Sequence, residues 1–231
     1  MQFDVLPVTR YAMNCSVLWC EETGRAAVID PGGDLSEICN FLEFMDLRAE
    51  LALVTHGHFD HAGGAARFAE LTGARIEGPH IGDAGAVAQL AELGERYGVP
   101  AQPYEPARWL EHGDTVTFGK AALQVLHCPG HCPGHVAYFH TGRRQAFVGD
   151  ILFKGAIGAW EHPQGDLPML VGSIRNRLFP LGDDVAFVPG HGEQSTFGEE
   201  RRSNPFVGDQ AADRWREKFP AQELRKTASS A

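Results

Sequence analysis

A short apolar segment, residues 51–54, runs directly into Thr55-His-Gly-His-Phe-Asp-His61. A continuous apolar run of that length is the pattern of a strand buried on both faces. The chain must therefore deliver three imidazoles and a carboxylate to the end of an interior strand. In a turn at that point His56 and His58, two residues apart, point the same way and can take one metal ion. Asp60 and His61 then project from the start of the next helix, where a second ion can sit. Imidazole and carboxylate donors without thiolate suit zinc, iron or manganese, and an incomplete protein shell leaves positions for water.

Three other segments end apolar runs in the same way. Cys128-Pro-Gly-His131, Val148-Gly-Asp150 and Val188-Pro-Gly-His191 each carry one candidate ligand into a turn relieved by glycine. A lone His or Asp in such a place is ordinarily a structural hydrogen-bonder. Recurrence at several strand ends points instead to one site, because loops at one edge of a sandwich converge in space.

The rest of the chain supports a layered fold. Strands are expected at residues 3–9, 15–20, 26–29, 51–55, 116–118, 123–127, 136–140, 146–149 and 185–188. Helices are expected at 35–45, capped by Asp34, at 62–71, closed by Gly73, and at 82–97 and 167–179. Segment 82–97, with the loop holding Pro100, Pro103 and Pro106, is expected to wall the cleft. Two similar halves of mixed strands and helices predict two sheets face to face with helices outside. The expected catalytic domain is 1–207, and 208–231 is expected to be a surface helix with a frayed tail.

Composition narrows the partners. Thirty acidic residues against 20 basic ones leave a net charge of −10, which opposes a phosphate-backbone ligand. Nucleic acid is not expected. The stretch without charged residues from 121 to 142 is long enough to span a bilayer, but four histidines and two prolines within it exclude that reading. Five cysteines, an odd number in a chain able to bury a core, predict free thiols and a reducing compartment; with no secretory signal evident, a cytoplasmic location is expected.

THGHFDH with a later His, Asp and His resembles the metallo-β-lactamase superfamily. The closest likeness is to the glyoxalase II group in its short bacterial form. The resemblance extends through Ile29–Asp34 (IDPGGD), the segments 123–135 (LQVLHCPGHCPGH) and 148–155 (VGDILFKG), and 180–192 (PLGDDVAFVPGHG). It implies an α+β fold, the αββα sandwich. Carried over by position, it implies that His56, His58 and His131 hold one divalent ion and Asp60, His61 and His191 the other. Asp150 would bridge them. Zinc is the first expectation, with iron or manganese as alternatives. A hydroxide shared by the ions would attack an anionic thioester such as S-D-lactoylglutathione, with Asp60 orienting the water or taking its proton.

Asp30 and Thr55 are expected to fix the tautomers of ligand imidazoles, and His135 to be a buried structural histidine. The cysteines are expected to be bystanders, and His80, His112, His127, His140 and His162 ordinary surface or core residues. Where relatives carry a basic residue after the glycine, Gly158 is followed here by Ala159 and Trp160. Lys154 and Trp160 are the candidate substrate contacts. Only 40 residues follow His191, so the C-terminal helical region of the long glyoxalase II enzymes is not expected. The rival readings on this fold are a persulfide dioxygenase with a single iron, and a lactonase or other ester hydrolase.

Overall fold

The computed structural model describes residues 1–211. The first sheet holds β1 (Gln2–Val8), β2 (Met13–Trp19), β3 (Arg25–Ile29), β4 (Arg48–Leu53) and β5 (Arg75–Glu77), side by side in that order. The first three strands are antiparallel, and β3, β4 and β5 are parallel. Parallel neighbours need a crossover. Helix α1 (Leu35–Phe44) supplies it between β3 and β4, and α2 (Phe59–Ala62) with α3 (Ala65–Thr72) supplies it between β4 and β5.

Sequence expectation and structure differ in this half at three places. The helix expected at 62–71 begins earlier, at Phe59, and is interrupted at Gly63 and Gly64; Asp60 and His61 therefore stand on α2 itself, while Gly73 closes α3 as expected, at φ 76°. Asp34 does not cap α1 with its side chain. Its backbone is left-handed, at φ 46°, and Oδ2 accepts from the Thr9 amide at 2.7 Å, which ties down the turn between β1 and β2. Segment 82–97 is not one helix but α4 (Ala84–Ala88) and α5 (Leu90–Tyr97), broken at Gln89 after a 3-10 turn at Ile81–Asp83. The Asp83 carboxylate explains why the start is held so tightly, since it is spent on two distant backbone amides.

The second sheet has β6 (Thr115–Phe118), β7 (Ala121–His127), β8 (Val136–His140) and β9 (Gln145–Gly149) as an antiparallel meander. A small hairpin, β10 (Leu152–Phe153) with β11 (Ala156–Ile157), follows. Helix α6 (Leu167–Ser173) then leads to β12 (Ala186–Pro189), which lies parallel to β9, and β13 (Ser195–Thr196) forms the edge beside helix α7 (Phe197–Ser203). The expected helix at 167–179 is α6 continued by a wider π-type turn at Ile174–Leu178. The C-terminal helix expected from Gly208 lies, beyond Ala211, outside the described residues.

Alternation along the strands builds the layers. Ala27, Ile29, Leu51 and Leu53 face Leu123, Val125, Tyr138 and Phe147 across the two sheets. Their neighbours Ala26, Val28, Ala52 and Val54 face outward onto Ile38, Leu42, Ala65 and Phe68. In the second sheet Ala137, Phe139, Ala146 and Val148 face Leu170, Ile174, Leu178 and Phe197. Both sheets are therefore covered twice, which is the αββα sandwich. Each large side chain so buried contributes about 1.5–3 kcal/mol. Among the described residues, no helix is long and apolar enough to cross a membrane.

All five cysteines are free. Burial pushes the Cys128 thiol up to about 12 and raises those of Cys15 and Cys132 as well. Cys39 is half-buried, and hydrogen bonding from Thr23 lowers the Cys20 thiol. The thiolate is the reactive form. Brief alkylation of the native protein at pH 8, followed by peptide mass spectrometry, is expected to mark Cys39 first and to leave the buried Cys15, Cys20, Cys128 and Cys132 unmodified until urea is added. Early labelling of Cys128 would contradict this packing.

Candidate metal centre

The site forms where β4, β7, β9 and β12 end along one edge of the sandwich. His56 Nε2 lies 3.0 Å from His58 Nδ1, and His131 Nε2 lies 3.1 Å from the same atom. On the other side, His61 Nε2 is 3.3 Å from His191 Nε2, and Asp60 Oδ2 is 3.3 Å from His191 Nε2. Asp150 stands between the groups: Oδ1 is 3.4 Å from His61 Nε2, and Oδ2 is 3.9 Å from both His131 Nε2 and His191 Nε2. The structure thus brings together all seven residues expected as ligands.

Partners on the far side of each ring decide which nitrogen faces inward. The carbonyl oxygens of Ala159 and Tyr11 can only accept, so His131 and His191 donate from Nδ1, at 2.7 and 3.1 Å. His61 donates from Nδ1 to Asp30 Oδ2 at 2.9 Å. Thr55 Oγ1 gives its proton to Asp30 Oδ2 at 2.6 Å and so accepts from His56 Nδ1 at 3.0 Å. His58 is reversed: its Nε2 meets Cys132 Sγ at 3.4 Å, and Nδ1 faces the cluster. In the neutral form, the rings of His56, His61, His131 and His191 consequently turn a lone pair, not a proton, toward their neighbours.

These donors suit a pair of cations. Four ligand atoms about 2.0–2.3 Å from a tetrahedral ion are about 3.3–3.8 Å apart, close to the spacings between these side chains. Asp150 Oδ1 is buried and has no hydrogen-bond partner, which is costly for a carboxylate unless a cation meets it. Burial, with His131 beside it, lowers His58 to about 3, and burial lowers His131 to about 4, so both stay neutral donors. Burial would also lower His61, but the carboxylates of Asp150, Asp60 and Asp30 raise it to about 10. Burial works against ionisation of Asp60, yet His61 and His191 hold its carboxyl well below the usual range. This half of the site therefore attracts positive charge strongly.

The residues around the donors are themselves anchored. Asp30 spends its oxygens on the Thr55 amide and hydroxyl and on His61, which makes it an anchor for a ligand. His135 accepts from the Asp150 amide at 3.0 Å, donates to the Val136 carbonyl, and stacks on His56. Both of its ring nitrogens are thus engaged. Gly190 is required by close approach: a Cβ there would stand 2.1 Å from Asp150 Oδ1.

Lys154 and Trp160 have other engagements. Lys154 is exposed and ion-paired with Glu193, while Trp160 packs edge-on against Phe206. Three contributors were not foreseen. Asp83 is almost wholly buried and accepts from the amides of Gly57, at 2.8 Å, and Gly134, at 2.5 Å, so it clamps the two ligand-bearing turns together. Cys132, expected to be a bystander, lies against His58. His162, expected to have no part, packs on the rings of His58 and His131. An acidic residue in the otherwise uncharged run from 79 to 91 was the signal for Asp83.

Comparison with known proteins agrees with this geometry. A hydroxyacylglutathione hydrolase, GloC, from Haemophilus influenzae is 38% identical over 91% of this chain and 100% of its own length. Two crystal structures superpose closely. The BLEG-1 B3 metallo-beta-lactamase has a TM-score of 0.82 at 30% identity, covering 89% of this chain and 99% of that one. TTHA1623 in a di-iron-bound form has a TM-score of 0.80 at 32% identity, covering 88% and 99%. The model of the "Metallo-beta-lactamase superfamily" matches residues 8–191, a span that starts just before the His191 anchor at Tyr11 and ends on His191 itself. With its clustered donors, the chain is a metal-binding hydrolase of this fold, and it belongs to the metallo-β-lactamase superfamily.

Proposed function

We propose that this protein is a glyoxalase II-type thioester hydrolase, cleaving S-D-lactoylglutathione or a related acyl thioester to a carboxylic acid and a thiol. The observation that carries this reading is the pair of donor groups joined by Asp150, in a chain similar along most of its length to a hydroxyacylglutathione hydrolase. His56, His58 and His131 would hold one divalent ion and Asp60, His61 and His191 the other, with Asp150 serving both. Zinc is the first candidate; the di-iron form of the similar TTHA1623 supports iron, and manganese suits the same donors. Two such ions supply polarisation of the scissile carbonyl and a water made acidic enough to be a nucleophile near neutral pH.

The side chains account for the remaining requirements. Asp30, Thr55 and the Ala159 and Tyr11 carbonyls fix ring orientation, so the donors need little rearrangement when substrate arrives. Asp60, kept ionised by its histidine neighbours, would orient the attacking water. As a ligand it is a poor free base. A thioester suits such a site because a thiol of pKa about 8.5 leaves as its anion without a strong general acid. Positive charge gathered in an acidic chain also favours a small anionic substrate over nucleic acid.

The protein loaded in turn with zinc, iron and manganese is expected to hydrolyse S-D-lactoylglutathione between pH 6 and 9, with two ions per chain. Lactones and oxygen uptake serve as parallel assays. If no metal form touches the thioester at any pH, the substrate reading fails. Oxygen consumption with one iron per chain would replace it by an oxidoreductase.

A further inference from the structure

The loop between β11 and α6 covers the His58–His131 side of the centre, and several of its groups are engaged with the fold. The Ala159 carbonyl takes the His131 proton, Trp160 packs on Phe206, and Asp166 caps α6 by accepting from Met169. His162 is the exception. Its ring lies 5.5 Å from that of His131, at 78°, and 5.9 Å from that of His58, at 64°. Its Nε2 is buried and has no hydrogen-bond partner. The atom is also outside the group of converging donors formed by His56, His58, His131 and Cys132, so it is not a further ligand of that group.

A buried imidazole nitrogen has given up water and is satisfied only by a polar atom brought to it. Its place beside two ligand rings limits what that atom can be. An acyl group undergoing hydrolysis must put its carbonyl at the donor clusters, which leaves its nearest substituents within reach of an imidazole packed on His58 and His131. On one side of that carbonyl is sulfur, a weak hydrogen-bonding atom; on the other is the α-carbon. An oxygen on the α-carbon is the strong partner available.

We propose that His162 is a substrate-contacting residue whose Nε2 hydrogen-bonds the α-oxygen of the acyl group, so that the enzyme selects 2-hydroxyacyl over plain acyl substrates. The inference rests on the thioester reading above. A site built to bond a substrate hydroxyl discriminates against the analogue lacking it, because the site's own polar group is then left unpaired.

The test compares the D-lactoyl and propionyl thioesters of glutathione with the parent protein, His162→Phe and His162→Gln. The parent is expected to favour the lactoyl ester by about tenfold in kcat/KM, the effect of one net hydrogen bond. His162→Phe should bring the two esters within about threefold while metal content stays at the parent value, and His162→Gln should keep part of the preference. An unchanged preference in His162→Phe overturns the proposal. So does a fall in metal content, which would make His162 part of the metal site. If the parent hydrolyses neither ester, the thioester reading is what fails. The residue is then judged by calorimetry of D-lactate and propionate binding to the metal-loaded protein: a lactate preference lost in His162→Phe supports the role, and one retained, or absent from the parent, overturns it.

Discussion

An Asp150→Asn variant is expected to fold, to bind at most one divalent ion per chain by elemental analysis, and to lose about three orders of magnitude in kcat, about 4 kcal/mol. The surroundings of Asp150 explain both halves of that expectation. Its backbone amide is held by His135 Nε2, and Gly190 stands against its side chain where no larger residue fits. An amide of the same shape therefore has a place to sit. What it lacks is charge. One carboxylate oxygen faces His61 while the other lies equidistant from His131 and His191, so a single side chain serves both donor groups. Neutralising it weakens both ions at once and removes the connection between them. Two ions per chain with near-parent turnover in this variant would remove Asp150 from the centre as the side chain that serves both donor groups.

The candidate ligands His56, His131, Asp150 and His191 were legible in the sequence because each follows an apolar run beside a glycine that lets the chain turn, and His58, Asp60 and His61 belong to the same short motif as His56. Layering was legible for a related reason: period-two burial in Ala26–Ile29 and Leu51–Val54 appears as unbroken apolar strands, which only a doubly covered sheet can use. The parts that were not legible are long-range. Gly57 lies in a tight buried turn and its amide needs an acceptor, but nothing local identifies Asp83, 26 residues away, as the one that serves it. Cys132 reaches His58 across 74 residues. Helical periodicity carried residues 82–97 as one element, whereas the chain breaks at Gln89 and its start is held by the capture of Asp83 by two other loops, a demand made elsewhere in the chain. Lys154 was chosen for its charge, and its engagement with Glu193 is a contact across 39 residues that no motif records.

Asp30 is where the fold and the centre depend on the same atoms, and Asp30→Ala is expected to cost about 3–5 kcal/mol of unfolding free energy. Three buried donors converge on this carboxylate: the Thr55 amide at 2.7 Å, the Thr55 hydroxyl at 2.6 Å and His61 Nδ1 at 2.9 Å. Truncation leaves all three without an acceptor in a place that water does not reach, since Asp30, Thr55 and His61 are each buried. Backbone conformation adds to the loss. Asp30 has φ 54°, a left-handed geometry in which alanine is disfavoured by about 1 kcal/mol and asparagine is tolerated. Asp30→Asn is accordingly the milder change, about 2–3 kcal/mol, because its amide oxygen can serve one donor but its NH2 confronts the others. In that variant the His61 ring loses its anchor, and affinity for the ion on the Asp60–His61–His191 side should fall about 10–100-fold. Urea titrations of the metal-free proteins separate the folding cost from the metal cost, and chelator competition measures the second. An Asp30→Ala protein within about 1 kcal/mol of the parent would mean that Thr55 and His61 find other acceptors, and the centre would then owe its geometry to the ligand turns alone.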